Sequence, residues 1–227
     1  MNSIDGATGV SGGRPVRLLL QNISLFSGLT EAQLEQIAQI ATLRQEPRNK
    51  TLVFVGSDAD LFFAIIQGSV KVMNRDPDGH EVILSVLRAG DSFGEMGLID
   101  DQQRSADVVT NESCDLLVIR RADFKRVLSE NRDICWNVMK VLIRRLREAN
   151  DKIESLALMD VYGRVAKLLL DMSESENGIR VVKRKITKLD MAKMVGASRE
   201  MVSRVMRDLE QRGVIRSEQE RIILNKK

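Results

Sequence analysis

At 227 residues, with 43% apolar and 30% charged, the chain exceeds the usual size of one compact domain and carries enough apolar material for real cores, which excludes wholesale disorder. Its longest unbroken apolar run, residues 61–66, is six residues long, against the roughly 20 needed to span a bilayer, so no membrane segment is expected. The net charge of +3 hides an asymmetry: residues 160–227 hold 16 Lys and Arg against 10 Asp and Glu, while the rest hold 19 against 22, so an anionic partner is expected at the C-terminal end.

Residues 1–17 begin "MNSIDGATGVSGG", with neither a basic start nor an apolar stretch; they read as a flexible tail and not a secretion signal, and the expected compartment is the cytoplasm. Helical spacing through "LTEAQLEQIAQIATL" predicts short helices over 17–42, with Thr30 as a cap. From Thr51 to Ile119 the texture changes to short β-branched or aromatic runs punctuated by Gly56, Gly68, Gly79 and Gly90. Strands of that length at nearly even spacing predict an antiparallel roll, and residues 18–130 form the first expected domain. Within it Cys114 sits among apolar neighbours, as does Cys135 further on, and both read as core thiols. His80, the one histidine, lies in the turn sequence "DPDGHE", where a metal centre built on it would lack partners.

A short helix over 122–128 precedes a long helical stretch over 133–159. Cys135, Met139, Leu142, Leu146, Ala149, Ile153 and Leu156 step by four and three along it, a heptad seam that predicts a parallel homodimer through a dimerisation helix spanning 131–159. A helix packed on its own domain needs a similar stripe, and that alternative stays open.

Residues 160–227 form the last expected domain. A helix over "VYGRVAKLLLDMSE" leads into a polar loop, the basic run 183–185, two short helices and a closing hairpin around "VIRSEQERIIL", the order of a winged helix-turn-helix. Thr187 and Asp190 suit a capping box that starts a helix at Lys188. Gly196 can stop it in the left-handed conformation. Ser198 caps the next helix, which Gly213 ends. That helix is expected to bury Val202, Val205 or Met206, and Leu209, and to turn Arg199, Glu200, Ser203, Arg204 and Arg207 outward. Arginine grips guanine O6 and N7 with two hydrogen bonds, and glutamate accepts from the cytosine amino group. Thr187 and lysines 183, 185, 188 and 193 suit phosphates, whose contacts make binding salt-dependent. A solvated face would not need acid and base interleaved in the first turn.

The stretch "FGEMGLIDDQQRSADV", residues 93–108, is the second constellation. Gly94 introduces a short helix with Glu95 and Met96, whose backbone N–H groups converge, and Arg104 and Ser105 can close on the same spot to clamp a phosphate. Glu95 then suits a sugar hydroxyl. A surface ion pair between Glu95 and Arg104 is the plainer alternative.

Taken together, the two motifs resemble those of Crp/Fnr-family bacterial transcription regulators, and the likeness runs from about Leu18 to Leu224. "FGEMGL" with "RSA" resembles the family's cyclic-nucleotide phosphate-binding cassette, and "GASREMVSR" resembles the recognition element of its cAMP-responsive members, including Arg199, Glu200 and Arg204. The resemblance implies an α+β chain: a jelly-roll-like β-roll that binds a cyclic nucleotide, a long dimerisation helix and a C-terminal winged helix-turn-helix. It further implies palindromic double-stranded DNA with TGTGA-like half-sites, a homodimer and RNA polymerase as partners, and no enzymatic activity, in keeping with a chain that has one histidine and no nucleophile–base pair. Where cAMP receptors carry a Thr-Ser pair facing adenine, this chain has Ala149-Asn150, and Asn150 can read either purine. Glu95 and Arg104 stand one residue closer than in the bacterial cAMP receptor, a spacing eukaryotic cyclic-nucleotide domains share. The ligand set carried over is Gly94, Glu95, Met96, Arg104, Ser105, Arg145 and Asn150, with cAMP as effector. Some family members bind cyclic di-GMP, and Arg144, Arg145 and Arg147 suit a second phosphate; activity without ligand is a further alternative. The cysteines of the family's iron-sulfur sensors and the ligands of its haem sensor are not matched, so no metal or haem is expected. Outside DNA binding, the alternative is a nucleotide-binding regulatory subunit whose end domain grips protein.

Overall fold

In the computed structural model the described residues are 16–183, 186–218 and 221–225; most of the expected N-terminal tail, and Lys185 of the basic run, lie outside them. The chain divides into two compact units, one built from residues up to Asp76 with Leu84–Arg145, the other from Pro77–Ile83 with Leu146 onward.

The first unit is a β-roll of two four-stranded sheets. One runs in the order β1 (Thr42–Glu46), β8 (Cys114–Arg120), β3 (Leu61–Gln67), β6 (Ser92–Phe93); the other β2 (Thr51–Val53), β7 (Asp107–Thr110), β4 (Ser69–Arg75), β5 (Glu81–Arg88). Helix α3 (Glu95–Ile99) joins β6 to β7. Side chains on a strand alternate between faces, and β3 is apolar on both. Phe63 and Ile65 enter a cluster drawn from both sheets, with Val70, Phe93, Val108, Leu116 and Val118. Phe62 and Ala64 face the other way, onto Leu117, Ile119 and the helices. The rings of Phe63 and Phe93 stack at 4.8 Å, and those of Phe62 and Phe124 at 4.5 Å. Fully burying such a side chain stabilises by about 1.5–3 kcal/mol.

That second cluster is covered by α1 (Val16–Leu20), α2 (Glu31–Ile40), α4 (Arg121–Glu130) and the first turns of α5 (Arg132–Leu158). Thr30 caps α2 in a reciprocal box with Gln33, as its sequence leads one to expect. Strand β1 begins at Thr42, the end of the expected helical region, and precedes Thr51, where the first strand is expected.

Helix α5 carries two apolar stripes. Ile134, Val138 and Val141 are buried in the roll's cluster, Leu142 packs against it, and the Cys135 thiol donates to the Leu128 carbonyl. Trp136, Met139, Ile143, Leu146 and Ile153 are exposed. They step by three and four, with Asn150 at the one polar place in the register. Of the residues expected on the seam, Cys135 and Leu142 serve the helix's own domain, and the exposed stripe runs through Trp136 and Ile143 beside them.

The second unit contains α6 (Val161–Met172), β9 (Glu174–Glu176), β10 (Ile179–Val182), α7 (Lys188–Val195), α8 (Arg199–Gln211), β11 (Ile215–Glu218) and β12 (Arg221–Leu224), with one sheet ordered β11-β12-β10-β9. Val165, Leu169, Val182, Met191, Val195, Val202, Met206, Leu209 and Ile215 are its core. The expected polar loop after α6 is instead the β9–β10 hairpin, turned by Asn177 and Gly178 at φ 51° and 79°. Asp160 caps α6, its Oδ1 accepting from Gly163 N–H at 2.8 Å. Among the described residues no helix is long and apolar enough to cross a membrane. The architecture is the α+β arrangement of roll, long helix and winged helix-turn-helix that the sequence leads one to expect.

Candidate functional site

The cassette is set by two glycines. Gly94 caps α3 at φ 88°, and a Cβ there would meet Arg104 Nη1 at 2.7 Å and the Leu61 carbonyl at 2.9 Å; at Gly97 it would meet the Gln102 carbonyl at 2.5 Å. Only a residue without a side chain lets the backbone come this close.

Into this cradle the chain places two arginines and one carboxylate. Arg104 is buried, and its Nη1 donates to the Gly94 carbonyl at 2.8 Å while Nη2 donates to the Leu61 carbonyl. Two of its five N–H groups thus fix the guanidinium plane. Burial pulls its pKa below the usual arginine range, against the opposing pull of Asp60 and Glu95. Glu95 is 2% exposed. Its Oε1 accepts from Arg145 Nη1, and Arg145 Nη2 donates to the Ser92 carbonyl. Glu95 Oε2 is buried and makes no hydrogen bond within the protein. A buried carboxylate oxygen without a donor is costly, and a ligand hydroxyl would satisfy it.

Of the residues expected at this site, Gly94, Glu95, Arg104 and Arg145 come together. Glu95 pairs with Arg145 across fifty residues of sequence, not with Arg104 as the plainer ion-pair alternative has it. Met96 and Ser105 border the cassette with exposed side chains. Asn150 is exposed on the part of α5 that belongs to the second unit. Arg144, considered for a second phosphate, forms an ion pair with Asp91 at 3.4 Å. Sequence reasoning missed the carbonyls of Leu61 and Ser92; backbone acceptors leave no trace in residue type. In the turn carrying His80, one ligating atom each of Asp76, Asp78 and His80 lies within 4.8 Å of the others, all exposed, so the expectation that His80 would lack metal-ligating neighbours does not hold.

The second unit displays the other constellation. Thr187 Oγ1 accepts from Asp190 N–H at 3.0 Å, Gly196 ends α7 in the left-handed conformation at φ 63°, and Ser198 Oγ accepts from Met201 N–H at 3.2 Å. Gly213, at φ 66°, follows α8. Val202, Met206 and Leu209 are buried against the core, Val205 and Ser203 are half-buried, and Arg199, Glu200, Arg204 and Arg207 are exposed. Of the lysines expected at phosphates, Lys188 is exposed, Lys183 pairs with Glu174 at 3.1 Å, and Lys193 pairs with Glu81. Lys193 is therefore already partnered. The Arg212 guanidinium lies 5.8 Å from the centre of the Tyr162 ring.

Comparison with known proteins agrees with this geometry. The family model for the cyclic nucleotide-binding domain matches residues 43–131, and that for the Crp-like helix-turn-helix domain matches residues 163–227. The chain is 35% identical to the cAMP-activated global transcriptional regulator Vfr of Pseudomonas aeruginosa, over 76% of this chain and 84% of that protein. It is 32% identical to the cAMP-activated global transcriptional regulator CRP of Salmonella typhimurium, over 86% and 95%. Among solved structures, the c-di-GMP responsive global regulator CLP of Xanthomonas campestris superposes with a TM-score of 0.75 at 24% identity, covering 87% of this chain and all of that one. Two family models that together match most of the chain, and identity above 30% over most of both chains, make this protein a member of the Crp/Fnr family of DNA-binding transcription regulators, with a cyclic nucleotide-binding domain and no enzymatic role.

Proposed function

We propose that the protein is a homodimeric regulator whose affinity for a palindromic operator is set by a cyclic nucleotide held in the roll, with cAMP as the effector. Gly94, Glu95, Met96, Arg104, Ser105, Arg145 and Asn150 form the ligand site. The observation that carries this reading is Glu95 Oε2, a buried acceptor without a donor beside the anchored Arg104 guanidinium. A cyclic nucleotide presents what that pair needs: a ribose hydroxyl to donate to the carboxylate, and a phosphate for the arginine and the backbone N–H groups of α3. No metal, haem or iron-sulfur cluster enters this reading, and its compartment is the cytoplasm.

Thr187, Ser198, Arg199, Glu200, Ser203 and Arg204 form the DNA surface. In a dimer, two recognition helices about 34 Å apart reach successive major grooves of a palindrome with TGTGA-like half-sites, where the bound regulator contacts RNA polymerase. The effector acts by favouring one of two arrangements through contacts made only in that one, with residues 160–163 as the hinge. Cyclic di-GMP is the second reading: Asn150 can read either purine, and Arg145 and Arg147 suit a second phosphate. The deciding experiment is a mobility-shift titration of a TGTGA palindrome with cAMP, with cyclic di-GMP and with neither. Tighter binding with one names the effector, and equal binding in all three removes ligand control.

A further inference from the structure

Helix α8 builds its buried stripe from Val202, Met206 and Leu209. Met201 takes no part in it: the side chain is 46% exposed and lies outside the apolar cluster those residues share with Met191 and Val195. A single exposed apolar residue needs no explanation in general. The place of this one gives it meaning. Met201 is the third residue of the helix, and its amide N–H is taken by the Ser198 cap at 3.2 Å, so what it presents outward is the thioether chain. It lies in the first turn beside Glu200 and one turn before Arg204, both exposed, and the first turn is the part of a recognition helix that meets base edges.

The charged residues around it suit guanine acceptors and the cytosine amino group. Their charged heads are directed to polar base atoms, which leaves the thymine 5-methyl, the one apolar group on the major-groove edge of the base pairs, without a wholly apolar partner. A methionine, unbranched and polarizable with three rotatable bonds, can adapt to such a group.

We propose that Met201 is a specificity-determining residue that packs against the 5-methyl group of a thymine in the operator half-site. The proposal rests on the operator-binding reading given above and adds a base preference beyond the hydrogen bonds of the charged residues of α8.

The test replaces each thymine of one half-site in turn by deoxyuridine, which removes the methyl and leaves every hydrogen-bonding group in place. Full-length protein is titrated by fluorescence anisotropy, with cAMP or cyclic di-GMP at saturation, whichever gives the tighter complex. At one thymine the wild type should lose about three- to five-fold in affinity, the worth of one buried methyl. Met201→Ala, at an exposed position where alanine favours the helix, should bind the two duplexes equally there, and Met201→Leu should keep the preference. Specific binding of the palindrome with the same thymine-to-deoxyuridine ratio in wild type and Met201→Ala at every position overturns the proposal and leaves the operator reading standing. A wild type that does not distinguish the palindrome from a scrambled duplex overturns both.

Discussion

The Glu95 carboxylate, nearly inaccessible at 2% exposure, is held by the guanidinium of Arg145, fifty residues further along the chain and on a different element. This pair joins the cassette to α5 within the first unit. Breaking a buried pair by removing one member leaves an uncompensated charge. Arg145→Met should therefore destabilise the protein by about 3 kcal/mol, read as a shift in the urea midpoint. Adding Glu95→Gln should recover most of the loss, since two neutral groups of similar size replace the pair. A double variant no more stable than Arg145→Met would show that the pair is not the source.

The close approach at Gly97 predicts a steric result. The added Cβ of Gly97→Ala would stand 2.5 Å from the Gln102 carbonyl and 2.7 Å from the Ala59 Cβ, so the backbone must shift. The expected cost is about 1–3 kcal/mol, with weaker effector binding because the N–H groups of α3 move with it. Gly178→Ala is an informative companion: nothing lies within 4 Å of its Cβ, so only the positive φ of 79° opposes it, and its loss should be smaller and confined to the second unit.

The helix-turn-helix was legible because its boundaries are written locally, in Thr187, Gly196, Ser198 and Gly213, each acting on a residue at most four positions away. The β9–β10 hairpin carried an equally local signal in Asn177-Gly178, the dipeptide that favours a two-residue turn with positive φ at both places. Only three or four residues flank it on either side, too few for a strand's alternation to show. On α5 the sequence holds two overlapping stripes, and periodicity alone does not decide which faces the roll; Trp136 looks like a core residue and is 62% exposed. Cassette membership followed from residue type at Gly94, Glu95 and Arg104. The partner of Glu95 did not, because a contact between residues 95 and 145 depends on how the roll packs against the helix.

Arg104 separates ligand response from DNA affinity. Arg104→Leu removes the cation expected at the phosphate and leaves the recognition helix untouched. Calorimetry with cAMP and with cyclic di-GMP should show at least a ten-fold loss of affinity, since one hydrogen bond to a charged group is worth about 1.5–3 kcal/mol. Salt-dependent binding to nonspecific duplex should persist with an unchanged slope of log affinity against log salt. A variant that binds effector as the wild type does would remove Arg104 from the ligand site.

Cys114 predicts a pH dependence with a definite sign. Burial, the largest influence, pushes its thiol above the usual range, and the Glu112 and Asp115 carboxylates push the same way. In the unfolded chain a cysteine ionises near 8.5. Below that pH both states keep the proton and the full contribution to stability is present. As pH rises above it the unfolded state binds fewer protons than the folded one, so stability falls, by at most about 1.4 kcal/mol per pH unit, until the folded thiol also ionises. Urea stabilities of wild type and Cys114→Ala measured from pH 7.5 to 10 should diverge from parallel above about 8.5. Parallel curves throughout would mean the thiol ionises equally in both states.

The exposed stripe on α5 predicts which substitutions act on assembly and which on folding. Ile143 and Ile153 are 52% and 64% exposed and fall on the register of Trp136, Met139 and Leu146, whereas Leu142 packs against the roll. A charge at Ile153 costs the folded single chain little, because its surroundings there are solvent, but between two helices it would lose its hydration without a partner. Ile153→Asp should therefore sediment as a monomer at micromolar concentration where the wild type sediments as a dimer, with its circular dichroism spectrum retained. Leu142→Ala should do the reverse, leaving a folded dimer that unfolds at lower denaturant, with a loss of about 2–4 kcal/mol. The two variants should also part in DNA binding. A monomer holds one half-site and forfeits the second, so Ile153→Asp should lose most of its preference for a palindrome over a single half-site, while Leu142→Ala retains that preference at temperatures where it stays folded. Ile153 lies on both registers, so a dimeric Ile153→Asp would remove α5 as the seam altogether; a monomeric Leu142→Ala would instead place the seam on the register that begins at Cys135, and the assignment of the two stripes would have to be exchanged.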